Sequence, residues 1–221
     1  MGKDNFETEK QFILNFTEAV NIGQNEVQVG VVKYSSVPTT EISLNESNIA
    51  TDLKHSIQHI AYESGGTRTH QALKYIYDHG FTIQNGDRST VPNFLVVLTD
   101  GLSFYGHATV LEAQRLHNAS VTVYAIGIGN NINTTELVRI ASNAKHMFIV
   151  PGYTALHEIQ KELQPIACHS LCKYSLMPWW EICDCVYHSS IVGVKMRFTI
   201  LWRTQYSGGL FKVVCTAQLN L

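Results

Sequence analysis

Few residues in this chain have both the type and the setting to do chemistry, and Asp100 is foremost among them. It lies near the end of the run Asn93 to Gly101, NFLVVLTDG, where an apolar stretch stops abruptly in a hydroxyl, a carboxylate and a glycine. An apolar run of that length has no polar face to turn to water, so both its sides must be covered, as in the parallel strands of α/β proteins. Open sheets of that kind bind ligands just beyond the carboxyl ends of their strands, and that is where Asp100 would stand. Thr99-Asp100-Gly101 is equally a good turn sequence. A second polar segment, Gly65-Gly66-Thr67-Arg68-Thr69, precedes a run with helical spacing.

Other candidate chemistries are poorly supported. No nucleophile has a partnered base, no P-loop is present, and no second carboxylate stands near Asp100 in sequence, so the reading is not an enzyme. The ten histidines are scattered. His70 and His107, the two nearest the strand end, read as solvent-facing, and Arg68 reads as an exposed loop residue able to meet an acidic partner. All five cysteines, Cys168, Cys172, Cys183, Cys185 and Cys215, fall in the last quarter. With His169 and His188 they match no common zinc spacing, and their odd number leaves a thiol unpaired or paired outside the chain.

Bulk properties narrow the partners. A formal net charge of -2 over 221 residues gives no basic footprint for nucleic acid and no Lys/Arg-rich segment for an anionic membrane. No run of about eighteen apolar residues could cross a bilayer. The opening MGKDNFETEK lacks the pattern of a secretory signal peptide. Against that, glycosylation sequons at Asn15, Asn45, Asn118 and Asn133 have meaning only in a secreted setting.

The elements that must position Asp100 follow an alternating pattern. Asp4 or Asn5 can cap a helix with Phe6, Ile13, Phe16 and Val20 on one face, stopped by Gly23. Val27 to Tyr34 reads as a strand, and Thr39 to Leu44 as its antiparallel partner at a sheet edge. Helices follow from Ile49 to Ile60 and from Thr67 or Thr69 onward. Then come the strand at Asn93, a helix near Thr109 to His117, the strand Val121 to Ile128, a helix Glu136 to Ser142 capped by Thr134 or Thr135, and a short strand His146 to Val150. A last helix carries Leu156, Ile159 and Leu163 inward. Strands and helices alternating at these lengths predict βαβ units, hence a doubly wound, mostly parallel sheet with helices on both faces.

The segments GGTRT and LTDG together resemble those of the von Willebrand factor type A domain, and the resemblance runs through roughly residues 3 to 167. Val29 to Tyr34 is similar to the family's second strand, Val121 to Gly129 to its VxVxAIGIG strand, and Glu136 to Val150 to its LxxIAS…FxV segment. The resemblance implies that Thr67 and Asp100 help hold Mg2+ or Mn2+ at the top of the sheet, with Gly66, Arg68 and Gly101 on the ligand rim. It also implies a non-enzymatic adhesion domain binding a matrix protein such as collagen, in the extracellular matrix or secreted.

One departure stands out. The family's first strand and its DxSxS motif have no counterpart before the helix that starts at Gly2-Lys3-Asp4, so the domain, residues 1–167, reads as truncated at its N-terminus and its cation site as incomplete. Weak or absent cation binding and a gap in the middle of the sheet are the expectations. Ile191 to Trp202 or Phe211 to Ala217 could fill that gap. Residues 168–221, rich in Cys and aromatics, read as an irregular tail of uncertain fold. The alternatives for function are an intracellular scaffold domain of the same family, or a truncated product with no function.

Overall fold

The computed structural model describes residues 2–89, 91, 93–159, 203–205 and 210–218, the last two segments as backbone strands. In chain order these form α1 (Lys3–Thr17), β1 (Val29–Tyr34), β2 (Pro38–Ile42), α2 (Ala50–His59) and α3 (Thr69–Tyr75). Then come β3 (Asn93–Thr99), α4 (Gly106–Asn118), β4 (Val121–Ile128), α5 (Thr134–Ile140), β5 (Met147–Val150), β6 (Arg203–Gln205) and β7 (Leu210–Gln218).

The strands make one sheet in the order β2-β1-β7-β3-β4-β5, with β6 paired to β7. β3 and β4 run parallel from Asn93↔Val121 to Thr99↔Gly127, and β4 pairs with β5 in the same sense. β2 folds back antiparallel on β1, so Pro38, which cannot donate to a ladder, falls on the edge strand where it is tolerated. Along the main path the sheet is parallel except at that edge, and off the path β6 pairs antiparallel with β7.

β7 takes the central position. It is parallel to β1 from Val29↔Val213 to Tyr34↔Gln218, and parallel to β3 from Leu95↔Val214 to Val97↔Thr216. The gap expected between these strands is thus filled by the segment containing Phe211 to Ala217. The other candidate, Ile191 to Trp202, lies outside the described residues, as do Cys168, Cys172, Cys183 and Cys185.

Alternation along β3 shows why its sequence is apolar throughout. Phe94, Val96 and Leu98 join a core with Phe6, Ile13 and Phe16 of α1 and Leu53 and Ile57 of α2. Leu95 and Val97 join a second core with Leu73 of α3, Leu116 of α4 and Leu137 and Ile140 of α5. Both faces of the sheet are covered, as the sequence predicts. Four local expectations are corrected. α1 begins at Lys3, with Gly2 rather than Asp4 or Asn5 in the N-cap position, and it stops at Thr17 instead of continuing toward Gly23, the Thr17 hydroxyl donating back to the Leu14 carbonyl at 2.8 Å. α3 is short because Ile76–Gly80 widens into a π turn. Asn133, not Thr134 or Thr135, caps α5, its side-chain oxygen accepting from the Glu136 amide at 3.2 Å. Where the last helix was expected, Tyr153–His157 forms a 3-10 turn, and the rest of that helix, with Leu163, lies outside the described residues.

Candidate functional site

Three loops converge at the carboxyl ends of β1 and β3. Ser35 and Ser36, which follow β1, are tied to the glycine loop: the Gly66 amide donates to Ser36 Oγ at 2.9 Å and the Arg68 amide to the Ser35 carbonyl at 3.1 Å. A Cβ on Gly65 would lie 2.5 Å from Ser35 Oγ, so glycine is what lets the two loops close on each other. The segment after β3 is fastened to the same loop, the Phe104 amide donating to the Thr67 carbonyl at 3.0 Å. Gly66 meets the Phe104 ring just as closely, since a Cβ there would come within 2.5 Å of it. These ties hold the loop of Thr67 and the segment after Asp100 together at one end of the sheet.

The rim residues separate by exposure. Thr67 is buried, Gly66, Asp100 and Gly101 are half-buried, and Arg68 is exposed. Thr99 Oγ1 donates to the Gly101 carbonyl at 3.0 Å, which fixes the turn after β3. Around it Leu102, Phe104 and Tyr105 stand 59%, 67% and 57% exposed, a cluster of apolar side chains where a strand-end loop needs none for the core. His70 is half-buried, not solvent-facing as expected, with its ring edge-on to Tyr105 at 4.9 Å, and burial followed by the Arg68 charge holds its pKa below the usual range. His107 is exposed.

The carboxylate of Asp100 is held from the far side of the sheet end: Tyr153 Oη donates to its Oδ2 at 2.6 Å. Tyr34, at the end of β1, donates to the Leu98 carbonyl at 3.2 Å. Burial, and then the nearby carboxylates, push both phenols well above the ordinary tyrosine range.

A second carboxylate, missed in the sequence, belongs to this neighbourhood. Glu9 of α1 is 1% exposed, and neither of its oxygens has a hydrogen-bond partner. Its pKa is raised well above the carboxylate range, first by burial and then by the charge of Asp100. The signal was present in the helical spacing, since Glu9 lies three residues after Phe6 and four before Ile13 and so shares their inward face.

Hydroxyl and carboxylate oxygens are ligands for a hard divalent cation such as Mg2+ or Mn2+, which completes its shell with water. Thr67 and Asp100 alone are too few. Among the described residues no three His, Cys, Asp or Glu side chains gather into a group that could hold a metal ion.

Comparison with known proteins agrees with this architecture. Residues 1–162 match the von Willebrand factor type A domain. Matrilin-1 of Gallus gallus is 35% identical over 181 residues, covering 77% of this chain and 36% of that protein. The collagen alpha-1(XXI) chain of Xenopus laevis is 34% identical over 182 residues, 80% of this chain and 18% of the collagen. The chain thus spans a minor part of the length of these relatives. Among solved structures, proximal thread matrix protein 1 from the mussel byssus superposes with a TM-score of 0.66 at 28% identity, over 75% of this chain and 42% of that one. A second structure of that protein, at 27% identity and TM-score 0.66 over 77% of this chain and 44% of that one, has a zinc-occupied MIDAS motif. With the match extending through both halves of the sheet and the loops that carry Thr67 and Asp100, the chain belongs to the von Willebrand factor type A domain family.

Proposed function

We propose that this chain is a non-enzymatic, protein-binding adhesion domain of an extracellular matrix-type protein. It presents the carboxyl end of its sheet to a matrix ligand of the collagen kind. The observation that carries the reading is the exposed cluster Leu102, Phe104 and Tyr105 beside Thr67, Arg68 and Asp100. Apolar and aromatic anchors next to a few polar groups are what a protein interface needs at its centre. The kinship with matrilin-1 and collagen alpha-1(XXI) supports the matrix setting.

Thr67 and Asp100, taken alone, would hold Mg2+ or Mn2+ weakly, so the apolar rim supplies most of the contact and the cation part of the site is incomplete without a further donor. A cation bound there would offer an open position to a ligand carboxylate. In a secreted protein Asn45, Asn118 and Asn133, all exposed, would accept glycan. Asn15 is the poorest acceptor of the four, half-buried within α1 beside buried Phe16 and Thr17.

Binding of the full chain to immobilised fibrillar collagen and to matrilin-type proteins tests the reading. Saturable binding weakened by Phe104→Ser is the expected result. Absence of saturable binding to every matrix protein offered would contradict it.

A further inference from the structure

Helix α2 carries two histidines, His55 and His59, four residues apart and both exposed. Positions i and i+4 of a helix are surface neighbours, so the two rings share one patch. Leu53 and Ile57 are the buried residues of α2, and at about 3.6 residues per turn His55 and His59 fall on the opposite, outer side. They add nothing to the core. The two imidazole rings stack there, with centroids 4.0 Å apart and planes 29° from parallel. Two histidines at this spacing are how metal-binding helices present imidazoles to a single ion.

The hydrogen bonding of His59 fits a metal ligand. Its Nδ1 lies 2.7 Å from the His55 carbonyl oxygen, which can only accept, so in the neutral ring Nδ1 carries the hydrogen and Nε2 the free lone pair. Ligand histidines are oriented in this way, one ring N–H donating to a carbonyl or carboxylate while the other nitrogen meets the ion. The bond thus ties His59 to the backbone of the residue it would work with. The adjacent cation, Lys54, is paired with Glu18 at 2.7 Å, which offsets the charge that would otherwise repel an incoming ion. Among the described residues no third His, Cys, Asp or Glu joins the pair, so the site has two protein ligands.

We propose that His55 and His59 form a two-ligand surface site for a divalent transition cation, Zn2+, Ni2+ or Cu2+, with water in the remaining positions. Imidazole nitrogen suits these ions, whereas Mg2+ and Ca2+ seek oxygen. The His55 ring turns out of the stack to meet the ion, as exposed side chains do within nanoseconds, while the backbone bond holds His59. The site uses none of the residues around Asp100 and is independent of the adhesion reading.

The experiment is calorimetric titration of the full chain with Ni2+, accompanied by chemical denaturation with and without the ion. Wild type should bind saturably and gain stability with Ni2+, because only the folded helix holds the two rings on one patch. His55→Gln and His59→Gln, both at exposed positions, should fold as wild type does. Each should lower the affinity about tenfold or more, since even the outer-shell partners of a metal ligand are worth that much. A double variant, Lys54→His with His55→Gln, keeps two histidines on α2 but sets them five apart, and it should not recover the binding. Ni2+ binding and stabilisation that both single variants leave unchanged would overturn the site. So would wild-type affinity in the five-apart variant, or lack of saturable binding by wild type up to millimolar Ni2+.

Discussion

At the scale of single residues, the groups that matter are those whose surroundings oppose their ordinary ionisation. Glu9 carries two orphaned oxygens inside a hydrophobic face, so Glu9→Leu should stabilise the fold by about 1–3 kcal/mol, the cost of an unpaired buried polar group. Chemical denaturation measures this, and a loss of stability would show that the carboxylate has a partner in the folded protein. His146 gives the pH dependence. Burial holds its pKa below the usual histidine value, with its ring 4.2 Å from that of Tyr124. The unfolded chain takes up a proton near pH 6.5 while the folded chain resists until lower pH. The stability is thus complete above about pH 6.5 and falls as pH drops through that value. Melting temperatures between pH 7.5 and pH 5 should decline, and less steeply in His146→Phe. Asn133, which carries no charge, matters instead as the side-chain cap of α5, and Asn133→Ala should cost about 1 kcal/mol in a denaturant titration.

Among the elements, β7 decides whether the sheet is continuous. It is paired at six positions with β1 and at three with β3, so removing it exposes two inner edges of a buried parallel sheet. A chain ending after Cys168 should melt at a markedly lower temperature than the full chain, or without cooperativity. An unchanged midpoint would mean that β7 contributes nothing to the sheet. The alternation of β3, β4 and β5 with α4 and α5 was legible because each strand is apolar on both faces and each helix keeps its period. The place of β7 was legible only as one of two candidates. Apolar alternation marks Phe211 to Ala217 as a strand but does not say which neighbours it joins, since strand order depends on the vacancy that other elements leave. The π turn at Ile76–Gly80 was not legible, because Ile76 continues the apolar spacing of α3 and nothing in the sequence marks the wider turn. Glu9 escaped notice for the opposite reason. Its spacing was plain, but a glutamate is expected to face water, and the sequence alone does not reveal a charge that breaks that rule.

Across the whole molecule, the sheet's two ends have different tasks. The glycine loop before α3, tied to the loops after β1 and β3, gathers Thr67, Arg68, Asp100 and the exposed Leu102, Phe104 and Tyr105 at one end, whereas the turns that enter the strands are at the other. Ile83, 81% exposed and ahead of β3, belongs to that opposite end. It is as apolar as the rim residues but stands away from Asp100, which makes it the natural control for non-specific stickiness. The central claim is that the ligand meets the carboxyl end of the sheet. It is tested most directly by measuring, on one immobilised collagen or matrilin-type surface, the affinities of wild type, Phe104→Ser and Ile83→Ser. Phe104→Ser should weaken binding about tenfold or more, as loss of a central aromatic anchor does, with Ile83→Ser unchanged. Equal affinities for wild type and Phe104→Ser, or a larger loss in Ile83→Ser, would contradict the account.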